Sequence, residues 1–290
     1  MGGHSGALAP SGAFSDAVGG VATVCDHGEV GAGVLGVDQM GDKSAIEWTE
    51  ATWNPTTGCD RTSPGCDRCY ALALAKRLKA MGVDKYQHDG DPRSSGPGFA
   101  VTLHEDALEL PYRWARPRVV FVNSMSDLFH DAVPVEFIQR VFDVMVATPQ
   151  HTYQVLTKRS RRLAKLSDSL PWPGNVWMGV SVESDRYAFR VNQLRDVPAA
   201  VRFVSVEPML GPVPNLSLEG IDWVIAGGES GPGARPILHD WVVDLREQCC
   251  HSDVAFFFKQ WGGRTPKAGG RLLDGRTWDE MPAVDRAAVS

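Results

Sequence analysis

The sequence contains no window of the roughly 20 apolar residues that a membrane-spanning helix requires, so no membrane partner is expected. Its start carries neither the basic residues nor the continuous apolar core of a secretory signal. Positive charge is also short. Lys and Arg number 29 against 35 Asp and Glu, a net charge of -6, which argues against a surface coated in cations for wrapping nucleic acid. Cysteine is sparse too, at six residues, and without a sign of secretion these thiols are expected to stay reduced in a cytoplasmic protein rather than form a disulfide scaffold. Residues 1–39 lack almost everything a fold needs: they hold few charges, show no periodicity and have no aromatic except Phe14. This stretch is therefore expected to be a disordered extension, with residues 40–290 as a single domain and Met40 as the true initiator.

The remainder is rich enough to fold. A chain of 290 residues with 43% hydrophobic and 22% charged residues can bury the core of one large α/β domain. From residue 44 a theme repeats: a short apolar strand, a polar or glycine-bearing loop, then an amphipathic helical stretch. The expected strands are Ala45 to Trp48, Phe99 to His104, Val119 to Asn123, Thr152 to Thr157, Val176 to Val182, Val201 to Val206, Trp223 to Ala226 and Val254 to Lys259. Helices are expected over Tyr70 to Met81, Val135 to Ala147, Arg161 to Leu170, Arg186 to Leu194 and Trp241 to Cys250. About eight strands alternating with helices predict a (β/α) barrel of the TIM type, with parallel strands buried on both faces.

In such a barrel the chemistry sits just past the C-terminal end of each strand. The residues there are polar and specific: Asn123-Ser-Met-Ser-Asp127, Thr157-Lys158, Ser181-Val-Glu183, Ser205-Val-Glu207, Gly227-Gly-Glu-Ser230 and Lys259-Gln-Trp261. Asn123, Ser124, Lys158, Ser181, Glu183, Ser205, Glu207, Gly227, Gly228 and Glu229 are accordingly the candidate cofactor-binding residues. Each also has a plainer reading. Glu183 and Glu207 can pair with Lys158, Arg186 or Lys259; Asp127 can cap a helix; the glycine-rich turn can be only a turn. Trp53, Tyr70 and Trp261 are candidates for stacking on a base, against ordinary packing. The basic run Lys158-Arg-Ser-Arg-Arg162 can touch phosphate or be a solvated helix face.

The densest chemical signal is Cys59, Cys66 and Cys69, a C-x6-C-x2-C cluster that opens into a helical stretch. Ser63-Pro64-Gly65 bends the longer arm back, so all three thiolates can reach one centre. The number matters. Structural zinc takes four protein ligands, whereas a cubane [4Fe-4S] cluster held by three cysteines keeps one iron free for a small molecule. An open iron of that kind is what binds S-adenosylmethionine in radical enzymes, although their common spacing, C-x3-C-x2-C, has a shorter first arm. The competing reading is a zinc site completed by a distant residue such as His104 or His130. Cys25 lies in the weak N-terminal stretch, and Cys249 and Cys250 are expected to be small buried hydrophobes.

Six ordered blocks carry a family resemblance: Trp53-Asn-Pro-Thr-Thr-Gly-Cys59, Gly65-Cys-Asp-Arg-Cys-Tyr-Ala71, Val122-Asn-Ser-Met-Ser-Asp-Leu-Phe129, Ser205-Val-Glu-Pro208, Gly227-Gly-Glu-Ser-Gly-Pro-Gly-Ala-Arg-Pro236 and Phe257-Phe-Lys-Gln-Trp-Gly262. They resemble the phage three-cysteine-motif family, named after phage gene products 37 and 68, over about residues 43 to 282. The resemblance implies a divergent radical S-adenosylmethionine enzyme on a TIM-type barrel. It further implies that Cys59, Cys66 and Cys69 bind a [4Fe-4S] cluster whose free iron chelates the cofactor, and that the protein works in the cytoplasm of a phage's bacterial host.

On this reading the protein generates a 5'-deoxyadenosyl radical, and the phage setting suggests a nucleic-acid base or nucleotide as substrate, for DNA modification or repair. Nucleic acid and a partner protein are both open as partners. The reading from another class is a zinc-stabilised binding scaffold without catalysis, and a third is a cluster protein that has lost catalysis.

Overall fold

The structure is a computed structural model and describes Ser44, residues 46–265 and residues 267–283. The expected extension over residues 1–39 and the expected initiator Met40 lie outside the described residues. In chain order the main elements are β1 (Ala51–Trp53), β2 (Thr56–Thr57), α1 (Tyr70–Ala80), β3 (Thr102–Leu103), β4 (Val119–Val122), α2 (Val135–Ala147), β5 (Thr152–Thr157), α3 (Ser160–Leu166), β6 (Val176–Ser181), α4 (Phe189–Arg195), β7 (Val201–Val206), β8 (Trp223–Gly227), α5 (His239–His251) and β9 (Ala255–Gln260). Strands β1 and β4 to β9 form one seven-stranded sheet in sequence order, every neighbouring pair parallel. β2 and β3 form a separate antiparallel pair.

The period-2 alternation of strand side chains sorts the core into two clusters. Val120, Val122, Tyr153, Val155, Met178, Val180, Val204, Val206, Val224, Ala226, Phe256 and Phe258 pack on one face with helix residues such as Ile138, Val141, Leu163, Leu194 and Leu245. The alternate residues Phe121, Trp177, Phe203, Trp223, Ile225 and Phe257 form the second cluster, joined by Trp48 from the segment before β1. The Trp48 ring lies 4.8 Å from Phe121 on β4 and 6.0 Å from Trp223 on β8. In a flat sheet those strands, four spacings apart, would stand about 19 Å from each other. One indole reaching both requires the sheet to curl, with the aromatic cluster filling its concave floor. Gly179 belongs to this fit, because a Cβ there would come within 2.4 Å of the Phe203 ring.

The result is a mixed α/β fold built on a curled parallel half-barrel, and two expectations change. The sheet has seven strands among the described residues rather than about eight, and no ladder joins β9 to β1. The outer edge of β9 is occupied instead by the chain's later residues: Phe258 N donates to Trp278 O at 2.9 Å, and Phe257 bridges Asp279 in antiparallel sense. Backbone groups paired in this way are not open to a closing strand. Of the expected strand Ala45 to Trp48, Ala45 lies outside the described residues and 46–48 form a turn. The first strand is Ala51–Trp53, whose Ala51 and Trp53 are buried. Of Phe99 to His104, only Thr102–Leu103 pairs, and it pairs antiparallel with Thr56–Thr57 outside the main sheet.

Local signals explain the better-placed elements. α2 repeats apolar residues at Phe137, Ile138, Val141, Phe142, Val144 and Met145, a stripe of helical spacing, and Pro134 precedes its first turn. α1 ends in a Schellman arrangement: Gly82, at φ +76°, donates to Lys79 O, while Val83 N donates to Leu78 O. Among the described residues no helix is long and apolar enough to cross a membrane.

Candidate active site

Above the aromatic floor the same inward stripe turns polar. It runs from Trp177 through Gly179 to Ser181 on β6, and from Phe203 through Ser205 to Glu207 on β7, with Ser181 directly opposite Ser205. A cavity of about 1130 Å³ opens there, floored by Trp48, Phe121 and Leu156. Asn123, Ser124, Lys158, Ser181, Ser205, Glu207, Gly228 and Glu229 border it, and so do Cys59, Cys66 and Cys69. Glu183 and Gly227 stand outside this lining. The face where barrel enzymes work thus carries the thiols and eight of the ten candidate cofactor residues.

The cysteine loop leaves β2 at Cys59, passes a short 3-10 turn at Pro64–Cys66 and reaches Cys69 at the N-cap of α1. Burial pushes the Cys59 thiol up to about 12, with Asp127 adding to the shift and Arg159 opposing it. Burial also raises Cys66, but the Lys158 charge and hydrogen bonds from the Thr62 and Ser63 amides outweigh it, and this thiol is lowered. Cys69 is raised by burial against the pull of the Ala71 amide and Lys158. Among the described residues no three His, Cys, Asp or Glu side chains converge on a single ion. A cubane makes a looser demand, since each thiolate then binds a different iron. His104 Nε2 lies 2.9 Å from Thr57 Oγ1, and His130 Nε2 lies 3.0 Å from Asp60 Oδ2, so each ring already has a partner other than a thiol. Backbone N of Ala132 donates to His130 Nδ1, leaving the ring proton on Nε2 to serve Asp60.

The end of β5 meets this loop through a dense polar junction. Asp127 Oδ1 accepts from Phe129 N at 3.0 Å and from Thr157 Oγ1 at 2.7 Å. Its Oδ2 accepts from Lys158 N at 3.0 Å and from Arg159 Nη1 at 3.2 Å. Asp127 therefore ties the loop after β4 to the end of β5, a wider role than capping a helix. Arg159 Nη1 also donates to Cys59 Sγ at 3.3 Å. The basic run is a solvated face only in part: Arg161 is exposed, but Arg159 is mostly buried, and Arg162 donates to the carbonyls of His130 and Val133.

The three candidate carboxylates have different surroundings. Glu183 is fully buried, accepts from Arg190 Nη1 at 2.9 Å and receives the Ser63 hydroxyl. It also fills the space beside Gly65, where a Cβ would lie 2.5 Å from Glu183 Cγ. It acts as a strut under the cysteine loop. Glu207 faces the cavity with Lys259 Nζ at 2.6 Å. Glu229 is held by Arg235 through Nε at 3.0 Å and Nη2 at 2.5 Å, and Arg235 Nη2 also reaches Pro64 O at 2.9 Å. Burial pushes the Glu229 carboxyl up, but hydrogen bonds and charge from Arg235, with Arg68, outweigh it and hold the group low.

Asn123 caps the end of β4 at φ +63°, a conformation Asn tolerates better than most residues. Its side chain borders the cavity, and both Oδ1 and Nδ2 are buried without a partner. Of the three proposed stacking aromatics only Tyr70 lines the cavity. Trp53 is core and donates to Ala107 O at 2.7 Å, and Trp261 stacks on His239 and donates to Leu272 O. Sequence reasoning missed Arg190 as a partner and the contact of Arg159 with Cys59. The available signal for Arg190 was an arginine beside Val191 on the buried face of an amphipathic helix.

The chain belongs to the family described as "Protein of unknown function (DUF5131)", whose model matches residues 43–282. No curated protein sequence matches the chain. Among solved structures it is similar to a cysteine-to-serine variant of spore photoproduct lyase, with 15% identity, a TM-score of 0.44 and coverage of 65% of this chain and 58% of that one. It is similar also to spore photoproduct lyase complexed with dinucleoside spore photoproduct, with 14% identity, a TM-score of 0.43 and the same coverage. The chain thus spans less than two thirds of the length of those structures.

Proposed function

We propose that the protein is a radical enzyme in which Cys59, Cys66 and Cys69 hold a [4Fe-4S] cluster and the adjoining cavity holds S-adenosylmethionine. The observation that carries this reading is that all three thiols border one cavity of about 1130 Å³, while His104 and His130, the two expected fourth ligands of a zinc site, are engaged by Thr57 and Asp60 instead. The donors fit the groups. Soft thiols suit iron-sulfur ligation, and the unpartnered amide of Asn123 is a buried donor and acceptor that a polar ligand would satisfy. When bound, cluster and cofactor supply hydrogen-atom abstraction by a carbon radical.

The chain's own side chains do the holding. Lys158 offers a cation for a carboxylate, and Glu207 offers an acceptor for an ammonium group or ribose hydroxyls. The floor of Trp48, Phe121 and Leu156 closes the bottom of the cavity against water. The volume exceeds the roughly 300–1,000 Å³ of ordinary small-molecule pockets, leaving room for a substrate beside the cofactor. We take that substrate to be a nucleic-acid base or nucleotide, supported by exposed Tyr70 and by Arg61, Arg68 and Arg77 along the same lining. A base inside a duplex would have to be flipped out to enter.

The test is anaerobic reconstitution with iron and sulfide, then EPR of the reduced protein with and without S-adenosylmethionine. A reduced [4Fe-4S] signal that changes when the cofactor is added is the expected result. Tightly bound zinc, with no cluster under any reconstitution, would overturn the reading and leave a binding scaffold.

A further inference from the structure

The two basic residues that follow β5 stand beside two different thiols. Lys158 lowers Cys66 through its charge, and Arg159 reaches Cys59 directly. The second contact is the more tightly built. Arg159 Nη1 donates to Cys59 Sγ at 3.3 Å and to Asp127 Oδ2 at 3.2 Å, while Nη2 donates to Asp60 O at 3.3 Å. Its backbone N is fixed by Thr157 Oγ1 at 2.9 Å, and its side chain is only 12% exposed. Asp127 in turn is held by Phe129 N, Thr157 Oγ1 and Lys158 N. The guanidinium is thus locked in place with little water around it, 100 residues along the chain from the sulfur it touches.

A reading of Arg159 as fold support alone leaves its bond to sulfur unused. Asp127 and the Asp60 carbonyl already give the side chain two oxygen partners, and the third N–H contact goes to a group whose charge would change in the proposed chemistry. We propose that Arg159 sets the reduction potential of the iron-sulfur centre held by Cys59, Cys66 and Cys69, by donating a charged hydrogen bond to Cys59 Sγ; this rests on the radical-enzyme reading above. One-electron reduction adds one negative charge to the centre, part of it carried by the cysteine sulfurs, and no bond is made or broken. A fixed cation and N–H donor stabilise the reduced form more than the oxidised form, so the potential rises. The electron comes from an external low-potential one-electron donor, which is dithionite in the experiment below. Asp127 partly neutralises the guanidinium, so the pair sets the value and removing either charge acts with opposite sign.

The test is an EPR-monitored redox titration of reconstituted full-length protein, with iron and sulfide content measured in parallel. Arg159→Gln is expected to keep its cluster but to show at least a tenfold lower ratio of reduced to oxidised cluster at fixed ambient potential, about 59 mV more negative for a one-electron couple. Arg159→Lys retains the charge and is expected to show a smaller shift in the same direction. Asp127→Asn is expected to move the midpoint the other way, which loss of packing alone would not do. A cluster-bearing Arg159→Gln with the parent midpoint overturns the proposal. If Arg159→Gln takes up no cluster, Asp127→Asn decides: a raised midpoint supports the proposal, and an unchanged or lowered one overturns it. A parent protein that takes up no cluster overturns the radical-enzyme reading and this proposal with it; iron and sulfide content, measured before any titration, separates that outcome from a cluster-bearing protein in which only the effect of Arg159 on the potential fails.

Discussion

The two sides of the cavity mouth are built from the same kinds of residue and put them to different use. On the β4 to β6 side, carboxylates and arginines are consumed by one another: Asp127 takes Arg159, and Glu183 takes Arg190 and Ser63. Arg159 and Glu183 thereby hold the cysteine loop, through Cys59 and the Asp60 carbonyl and through Ser63. On the β7 to β9 side, Glu207 and Lys259 pair with each other but remain on the cavity wall, each side chain about a fifth exposed. Glu183 and Glu207 follow neighbouring strands at matching positions, yet one is a strut and the other faces the space where a ligand would sit. What separates them is where the partner stands: Arg190 from α4 and Ser63 from the cysteine loop enclose Glu183, whereas Lys259, the partner of Glu207, lies on the cavity wall itself.

Glu183→Ala should break the comparison most severely. It leaves Arg190, 3% exposed, as an uncompensated buried charge, and a loss of about 3–5 kcal/mol is expected in urea denaturation. Gly65→Ala strikes the same seam from the loop side. Its new Cβ would meet Glu183, which cannot yield while bound to Arg190, and a loss of about 1–3 kcal/mol is expected by the same measurement.

On the other side, Glu207→Gln should change stability by less than about 1 kcal/mol, because its pair is partly solvated. The same change should weaken binding of S-adenosylhomocysteine by calorimetry by about tenfold, the worth of one charged hydrogen bond. A Glu207→Gln variant as unstable as Glu183→Ala would erase the distinction between the two sides.

The smallest effect concerns Glu229. Its carboxyl is held low in the folded protein, so its contribution is present above the ordinary carboxylate range and is lost as pH falls through the lowered value. The stability gap between the parent and Glu229→Gln should therefore narrow on acidification. A gap that widens below the carboxylate range would contradict the Arg235 bond.

Much of the fold is legible in the chain. Thr152–Thr157 and Val201–Val206 read as apolar runs and occupy the expected bounds as strands. Period-2 alternation along them and just past their ends places Ser205, Lys158 and Glu207 on the cavity wall without knowledge of any contact. The first strand is less legible because only three residues pair, too few to show alternation, while the apolar Trp48 just before it serves as a plug. The expected eighth strand failed because Thr102–Leu103 offers only two paired residues, and they run antiparallel to Thr56–Thr57. Pairwise choices across the mouth were not legible. Arg159 looked like part of a basic run because nothing local marks the sulfur it meets, and the buried role of Glu183 depends on Ser63 and Arg190, neither of which periodicity joins to it.

The cysteine loop also has a place in time. Its three thiols leave the ribosome before the groups that fasten it, which come later and in sequence: Arg159, then Glu183 with Arg190, then Arg235, whose Nη2 grips the Pro64 carbonyl from beyond β8. A nascent chain that has emerged as far as Leu170 already carries Arg159 but lacks both the strut and the final clamp. The loop is made early and fastened late, so during synthesis the three sulfurs remain free to move until most of the half-barrel has been made.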